Sequence, residues 1–199
     1  MNEDINKMKI SREYYKEYSK YLFLLCICVN IIGAEVVQII RIPAFLDAAG
    51  TILAGLLMGS IPGAIVGLIT NIALGFLMDS SYFYFAVINV LIGLIAGYIF
   101  SKYPFNIKTV LIASIIISVM ASVIGNAISI VVFGGILDGS LSDLSMLLVE
   151  NGLNLFLSVT ITGFFANLLD KLLSFVLVFY IVGIIENRIE KDRSRRKLR

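Results

Sequence analysis

The residues of this chain able to do chemistry are amides, a few carboxylates and a lysine, all set in apolar surroundings. Asn151, Asn154, Ser158 and Thr162 recur at three- and four-residue steps, which puts them in one stripe down a helix. Asn167, Asp170 and Lys171 follow in the same run, while Asn89 and Asn126 stand in two others. A polar group inside an apolar span costs free energy unless it finds a partner or lines a cavity. Such a set can hydrogen-bond the heteroatoms of a small solute, or it can clamp helices together. Asp170 and Lys171 are adjacent and point about 100° apart on a helix. One of the two can then bond a neighbouring helix while the other faces a ligand.

Other chemistry has little to work with. The chain has no histidine, and its two cysteines, Cys26 and Cys28, point to different sides of one helix. Zinc and haem sites therefore lack ligands, no disulfide is expected, and no metal or cofactor is expected either. No P-loop, HExxH or GxSxG motif occurs. Glu35 and Asp47 are the candidates for a carboxylate pair, but the Arg41-Ile42-Pro43 break separates them. The expectation is a protein that is not an enzyme. Glu35, Gln38 and Arg41 read as an interfacial group that positions the first outer loop. Tyr82-Phe83-Tyr84-Phe85 reads as an interfacial aromatic belt, or as a stacking surface for a flat ring.

The elements that must carry these residues are membrane helices. Of 199 residues, 59% are apolar and 15% charged, against roughly 25% charged in soluble domains. Apolar runs fall near 21–40, 46–58, 63–78, 83–100, 109–133 and 153–185. The second and third are short for a bilayer about 30 Å thick, so they must be tilted, irregular or shielded by neighbours. Gly59-Ser60-Ile61-Pro62-Gly63 reads as a tight turn between them. The first run is long enough to span and has no small-x-small cleavage pattern, so it reads as a retained helix.

Lys7, Lys9, Arg12, Lys16 and Lys20 precede the first run, and Arg188, Lys191, Arg193, Arg195, Arg196, Lys197 and Arg199 follow the last. The positive-inside rule then makes both ends cytoplasmic, which requires an even number of spans. Six spans put Lys102 and Lys108 inside, with Asp79, Asp138, Asp143 and Glu150 outside. The expected fold is an all-α integral membrane protein, a bundle of six transmembrane helices in the plasma membrane. Residues 1–20 form a basic cytoplasmic segment, 21–186 the membrane domain and 187–199 a basic cytoplasmic tail. Glu186, Glu190 and Asp192 dilute the tail, which reads as an orientation anchor rather than a nucleic-acid site.

Glycines recur at four-residue steps through Gly59, Gly63, Gly67 and Gly75, and again at Gly93 and Gly97. That step keeps them on one helix face, where they admit close approach of another helix. Asn71 shares the step with Gly67 and Gly75, and Asn89 lies four before Gly93.

These residues together resemble the substrate-binding S-components of energy-coupling factor (ECF) vitamin transporters. The likeness is carried by Asn30-Ile31-Ile32-Gly33, the run Pro43 to Thr51, Gly59 with Gly63 and Gly67, Thr70-Asn71, Ile88 to Gly93 with Gly97, and Asp170-Lys171. It covers nearly all of 21–185. The resemblance implies capture of a vitamin or related micronutrient from outside, in partnership with a transmembrane T-component and two ATPase subunits. Asn89, Asn126, Asn151, Asn154, Asn167 and Lys171 cluster in the outer halves of spans four and five and along span six, a pattern that suggests a ligand pocket open to the outside. The resemblance implies binding through spans four to six and the loops over them. It also implies that the first three helices meet the T-component, with Gly59, Gly63 and Gly67 as candidates for that face. Many members carry an alanine pair on the first helix where this chain has Cys26 and Asn30. The competing expectations are a stand-alone secondary transporter using Glu35 or Asp170, and a ligand-free membrane sensor or scaffold.

Overall fold

The computed structural model describes residues 19–135 and 140–197. Lys7, Lys9, Arg12, Lys16, Asp138 and Arg199 lie outside the described residues. Among those described, seven helices follow one another: α1 Ser19–Ile40, α2 Ala49–Met58, α3 Ser60–Leu77, α4 Ser81–Lys102, α5 Ile107–Phe133, α6 Ser140–Glu150 and α7 Leu155–Lys197.

The apolar runs become helices with shifted ends. α3 starts at Ser60 rather than Gly63, because Gly59 alone makes the turn, at φ +103°. Pro62 falls in the first turn of α3, where a missing N–H forfeits no helical bond. Asn106 caps α5 by accepting from the Thr109 N–H at 2.9 Å, and Gly134 ends it in the left-handed region. Asp79, between α3 and α4, accepts from the Ser81 N–H at 2.8 Å. Hydrogen bonds from Ser81 hold its carboxyl below the usual carboxylate range. α6 has no counterpart among the expected spans. Its Asp143 and Glu150 made that stretch read as an outer loop. α7 runs on as one helix through the basic tail to Lys197.

α2 is the centre of the bundle. It is 10 residues long and buried from Ala49 to Leu57, in contact with α1, α3, α4 and α7. A helix apolar all round needs such a surround. Shielding is therefore the answer to its shortness.

Glycine makes that surround possible. A Cβ on Gly63 would lie 2.9 Å from the Gly55 Cα and 3.0 Å from the Gly93 carbonyl oxygen. One on Gly67 would strike the Asn89 carbonyl, one on Gly93 the Gly63–Ala64 backbone, and one on Gly97 the Gly59–Ser60 backbone. α2, α3 and α4 thus touch backbone to backbone, with no side chain between them. Below them Ile52, Leu53, Ile92, Phe100, Ile117 and Phe175 form the apolar core that ties in α5 and α7.

Gly93→Ala should force α3 and α4 apart and lower stability by about 1–3 kcal/mol, as overpacking does. Gly183→Ala, with open space around its Cβ position, should be neutral or gain up to ~1 kcal/mol from helix propensity. Thermal unfolding of the two variants in one detergent checks the contrast. Equal melting temperatures would contradict the packing.

Candidate functional site

The site is built around a stretch of backbone that is not helical. Residues 41–48, here called the strap, join α1 to α2. A Cβ on Gly33 would strike the Leu46 carbonyl, so the strap lies against α1 seven residues before its end, about 10 Å down the helix. One on Gly50 would strike the Cys26 carbonyl, deeper still. Backbone at that depth has no water and must find partners within the protein.

Three side chains from three helices supply them. Asp170 of α7, wholly buried, accepts from the Phe45 N–H at 3.2 Å and the Leu46 N–H at 2.5 Å. Asn89 of α4 donates to the Asp47 carbonyl at 3.0 Å and to Asn71 Oδ1 at 2.7 Å, and Asn71 in turn donates to the Tyr82 carbonyl. Asn30 of α1 accepts from the Gly50 N–H at 2.6 Å and donates to Thr51 and Thr70 at 2.9 and 3.0 Å. The strap held this way includes Leu46 at φ +50°, a conformation that costs a bulky residue of order 1–3 kcal/mol.

Lys171, also buried, forms an ion pair with the second oxygen of Asp170. Neighbouring helix positions diverge, yet the long lysine stem folds back along the helix to meet its neighbour. Asp47 lies within electrostatic reach of both Lys171 and Asp170.

A second polar seam joins α5 to α7. Ser118 donates to the Asn167 carbonyl at 3.2 Å, Ser122 to the Gly163 carbonyl at 3.5 Å, and Asn126 to the Thr160 carbonyl at 3.5 Å. Asn167 Nδ2 donates to the Gly163 carbonyl at 2.8 Å. A Cβ on Gly163 would strike Asn126 Oδ1, so the glycine makes room for the amide.

The residues expected to bind ligand are therefore dispersed. Asn89 and Lys171 belong to the strap's supports, while Asn126 and Asn167 belong to the α5–α7 seam. Asn154 caps α7 through the Leu157 N–H at 2.8 Å, and Asn151 donates to the Leu147 carbonyl at the end of α6. The expected stripe on α7 exists as a relay: Ser158 donates to the Asn154 carbonyl, and Thr162 to the Ser158 carbonyl. Thr162 also meets Ser145 of α6 at 2.6 Å. Gly63 and Gly67 are buried against α2 and α4, and Gly59 forms the turn between α2 and α3. The outward side chains of α3 are instead Ile61, Ile65, Leu68, Ile72 and Phe76.

Sequence reasoning missed an open space on this side of the bundle. A cavity of about 370 Å³ lies between α6 and α7, lined among others by Pro43 of the strap, Leu144 and Leu148 of α6, and Ile161 and Phe165 of α7. Its walls are leucines and other common apolar residues, which carry no sequence signal.

No protein-family model matches the chain, and neither does any curated protein or solved structure. The fold itself defines a class. Five helices, the last of them Leu155–Ile185 within α7, are long and apolar enough to cross a membrane, with α2 sheltered among them. The described residues are all-helical, and the chain is a multi-pass membrane protein.

Two predictions separate the polar groups. Asp170→Ala, which strands both Lys171 and the strap amides, should cost about 3–5 kcal/mol, as breaking a buried pair does. Lys171→Met should cost about as much, because it leaves the Asp170 carboxylate buried without its cation, whereas Asp170→Asn combined with Lys171→Met should cost less than either; unfolding midpoints of the three variants give the order. Asn30→Ala and Asn89→Ala should each cost about 1–3 kcal/mol by orphaning buried backbone groups. Asn126→Ala should cost nearer ~0.6 kcal/mol, the average for an interhelical bond in a membrane. A loss at Asn126 as large as at Asn30, in the same melting series, would reverse this ranking.

Proposed function

We propose that the chain is the substrate-binding S-component of an ECF-type importer, a binding subunit rather than an enzyme. In this reading it captures a vitamin or related micronutrient outside and delivers it with a T-component and two ATPases. The observation that carries the reading is the cavity beside the strap, walled by Pro43, α6 and α7. A cavity bordered by an irregular connection, in a small helical bundle with no sign of catalytic machinery among its described residues, suits capture and handover better than chemistry.

The same reading takes six crossings with both termini cytoplasmic in the plasma membrane. The strap and α2 together form the second crossing. The strap descends past Gly33, and α2 ends at Gly59, beside Gly97 near the C-terminal end of α4. An extended half and a helical half thus replace one long helix. The positive-inside distribution of Lys and Arg supports the orientation.

The packing favours a different face for the T-component. Gly63 and Gly67 are occupied within the chain, so the outer sides of α1 and α3 carry the docking instead. Leu24, Ile32 and Val36 on α1, with Ile65, Leu68 and Ile72 on α3, are exposed and apolar.

Co-expression with a T-component and its two ATPases, followed by purification through a tag on this chain, tests the assignment. The expected result is a four-subunit complex that Ile65→Arg with Leu68→Arg disrupts, and uptake that needs ATP hydrolysis. Uptake in cells lacking the ATPases would instead establish a stand-alone transporter. Absence of both complex and uptake would leave a ligand-free scaffold.

A further inference from the structure

The cavity lies alongside the apolar length of α7. Ile161 to Leu169 lie about 9–21 Å along α7 from Leu155, at 1.5 Å per residue, within the stretch Leu155–Ile185 that is apolar enough to cross a membrane. Ile161, Phe165 and Leu169 of α7 and Leu144 and Leu147 of α6 are exposed around it, so it opens sideways between the two helices rather than upward. Its one polar side chain, Thr162, is already bonded to Ser158 and Ser145. The amides Asn89, Asn126, Asn151 and Asn167, together with Lys171, all make bonds elsewhere and none lines the space. At about 370 Å³ it falls in the roughly 300–1,000 Å³ range of small-molecule pockets.

We propose that the solute taken here is an uncharged, lipophilic small molecule that enters laterally from the bilayer. This rests on the S-component reading and names its substrate class. A charged or strongly hydrated solute would lose its water without gaining a hydrogen bond, a penalty of several kcal/mol per polar group. A phospholipid chain offers the same apolar chemistry, but its phosphate would meet the exposed Asp143, which stands on α6 between the lining residues Leu141 and Leu144. Like charge at that rim disfavours the phosphate and leaves a free lipophile as the occupant.

The test uses the full chain in neutral detergent with 1-aminoanthracene, an uncharged fluorophore, as the probe. Saturable binding is expected, weakened more than tenfold by Ala166→Phe, which fills the cavity, and by Leu144→Trp, which blocks its mouth. Leu144 is partly exposed, so that second variant keeps its melting temperature and separates blocking from unfolding. Binding unchanged in both variants would overturn the proposal. Displacement of the probe by micromolar thiamin or pyridoxine would overturn the lipophile class and leave the S-component reading standing. Displacement by phosphatidylglycerol, but not by an uncharged naphthoquinone, would assign the cavity to bilayer lipid and overturn the proposal. Failure to co-purify with the T-component and ATPases, with probe binding intact, would remove the S-component reading alone.

Discussion

Irregular backbone inside an apolar bundle has no water to bond, and that constraint organises the polar residues of this protein. The strap between α1 and α2 runs against α1 well below its end, and four polar groups of the strap and the head of α2 are met by side chains from elsewhere. Asp170 serves the amides of Phe45 and Leu46, Asn89 the carbonyl of Asp47, and Asn30 the amide of Gly50 at the head of α2. Because the three come from α7, α4 and α1, satisfying the strap also fixes those helices relative to α2. The strap is less a connection than a key piece of the core.

Two kinds of packing then divide the bundle. In α2, α3 and α4 the glycines bring backbones into direct contact, and van der Waals attraction at close range needs no polar aid. Between α5 and α7 the apolar core is supplemented by serines and amides, with hydrogen bonds of 3.2–3.5 Å. Long bonds of that kind are weak. The cavity lies on the other face of α7, against α6, whose Ser145 meets Thr162 at 2.6 Å.

Most of the fold was legible because hydrophobic run length and glycine spacing act locally. The runs 21–40, 83–100 and 109–133 survive as α1, α4 and α5. The four-residue glycine step correctly marked a close-packed face but could not say which helix fills it. Gly63 and Gly67 look outward on a helical wheel only until α2 and α4 are in place. Asn89 was picked out as an amide needing a partner, yet that partner is a carbonyl 42 residues earlier in the chain. Periodicity reports the face a side chain occupies. It does not report the unpaired backbone group opposite, because that group exists only once the strap has failed to become helix. α6 escaped for a simpler reason: an amphipathic helix of 11 residues with two carboxylates has the composition of a loop.

The strap also explains why a lysine and an aspartate sit side by side in one apolar span without a ligand. An asparagine at position 170 could accept from Phe45 and Leu46 in the same geometry. A carboxylate accepts roughly twice as strongly, because its hydrogen bonds are charge-assisted. That extra strength opposes the backbone strain of Leu46 at φ +50°, which a neutral acceptor would hold less firmly. An uncompensated carboxylate is too costly in the bilayer, so a cation must accompany it. Lys171, one residue on, neutralises it through the oxygen that faces away from the strap. The lysine follows from the aspartate, the aspartate from the strap, and the strap from a second segment too short in helix to cross on its own.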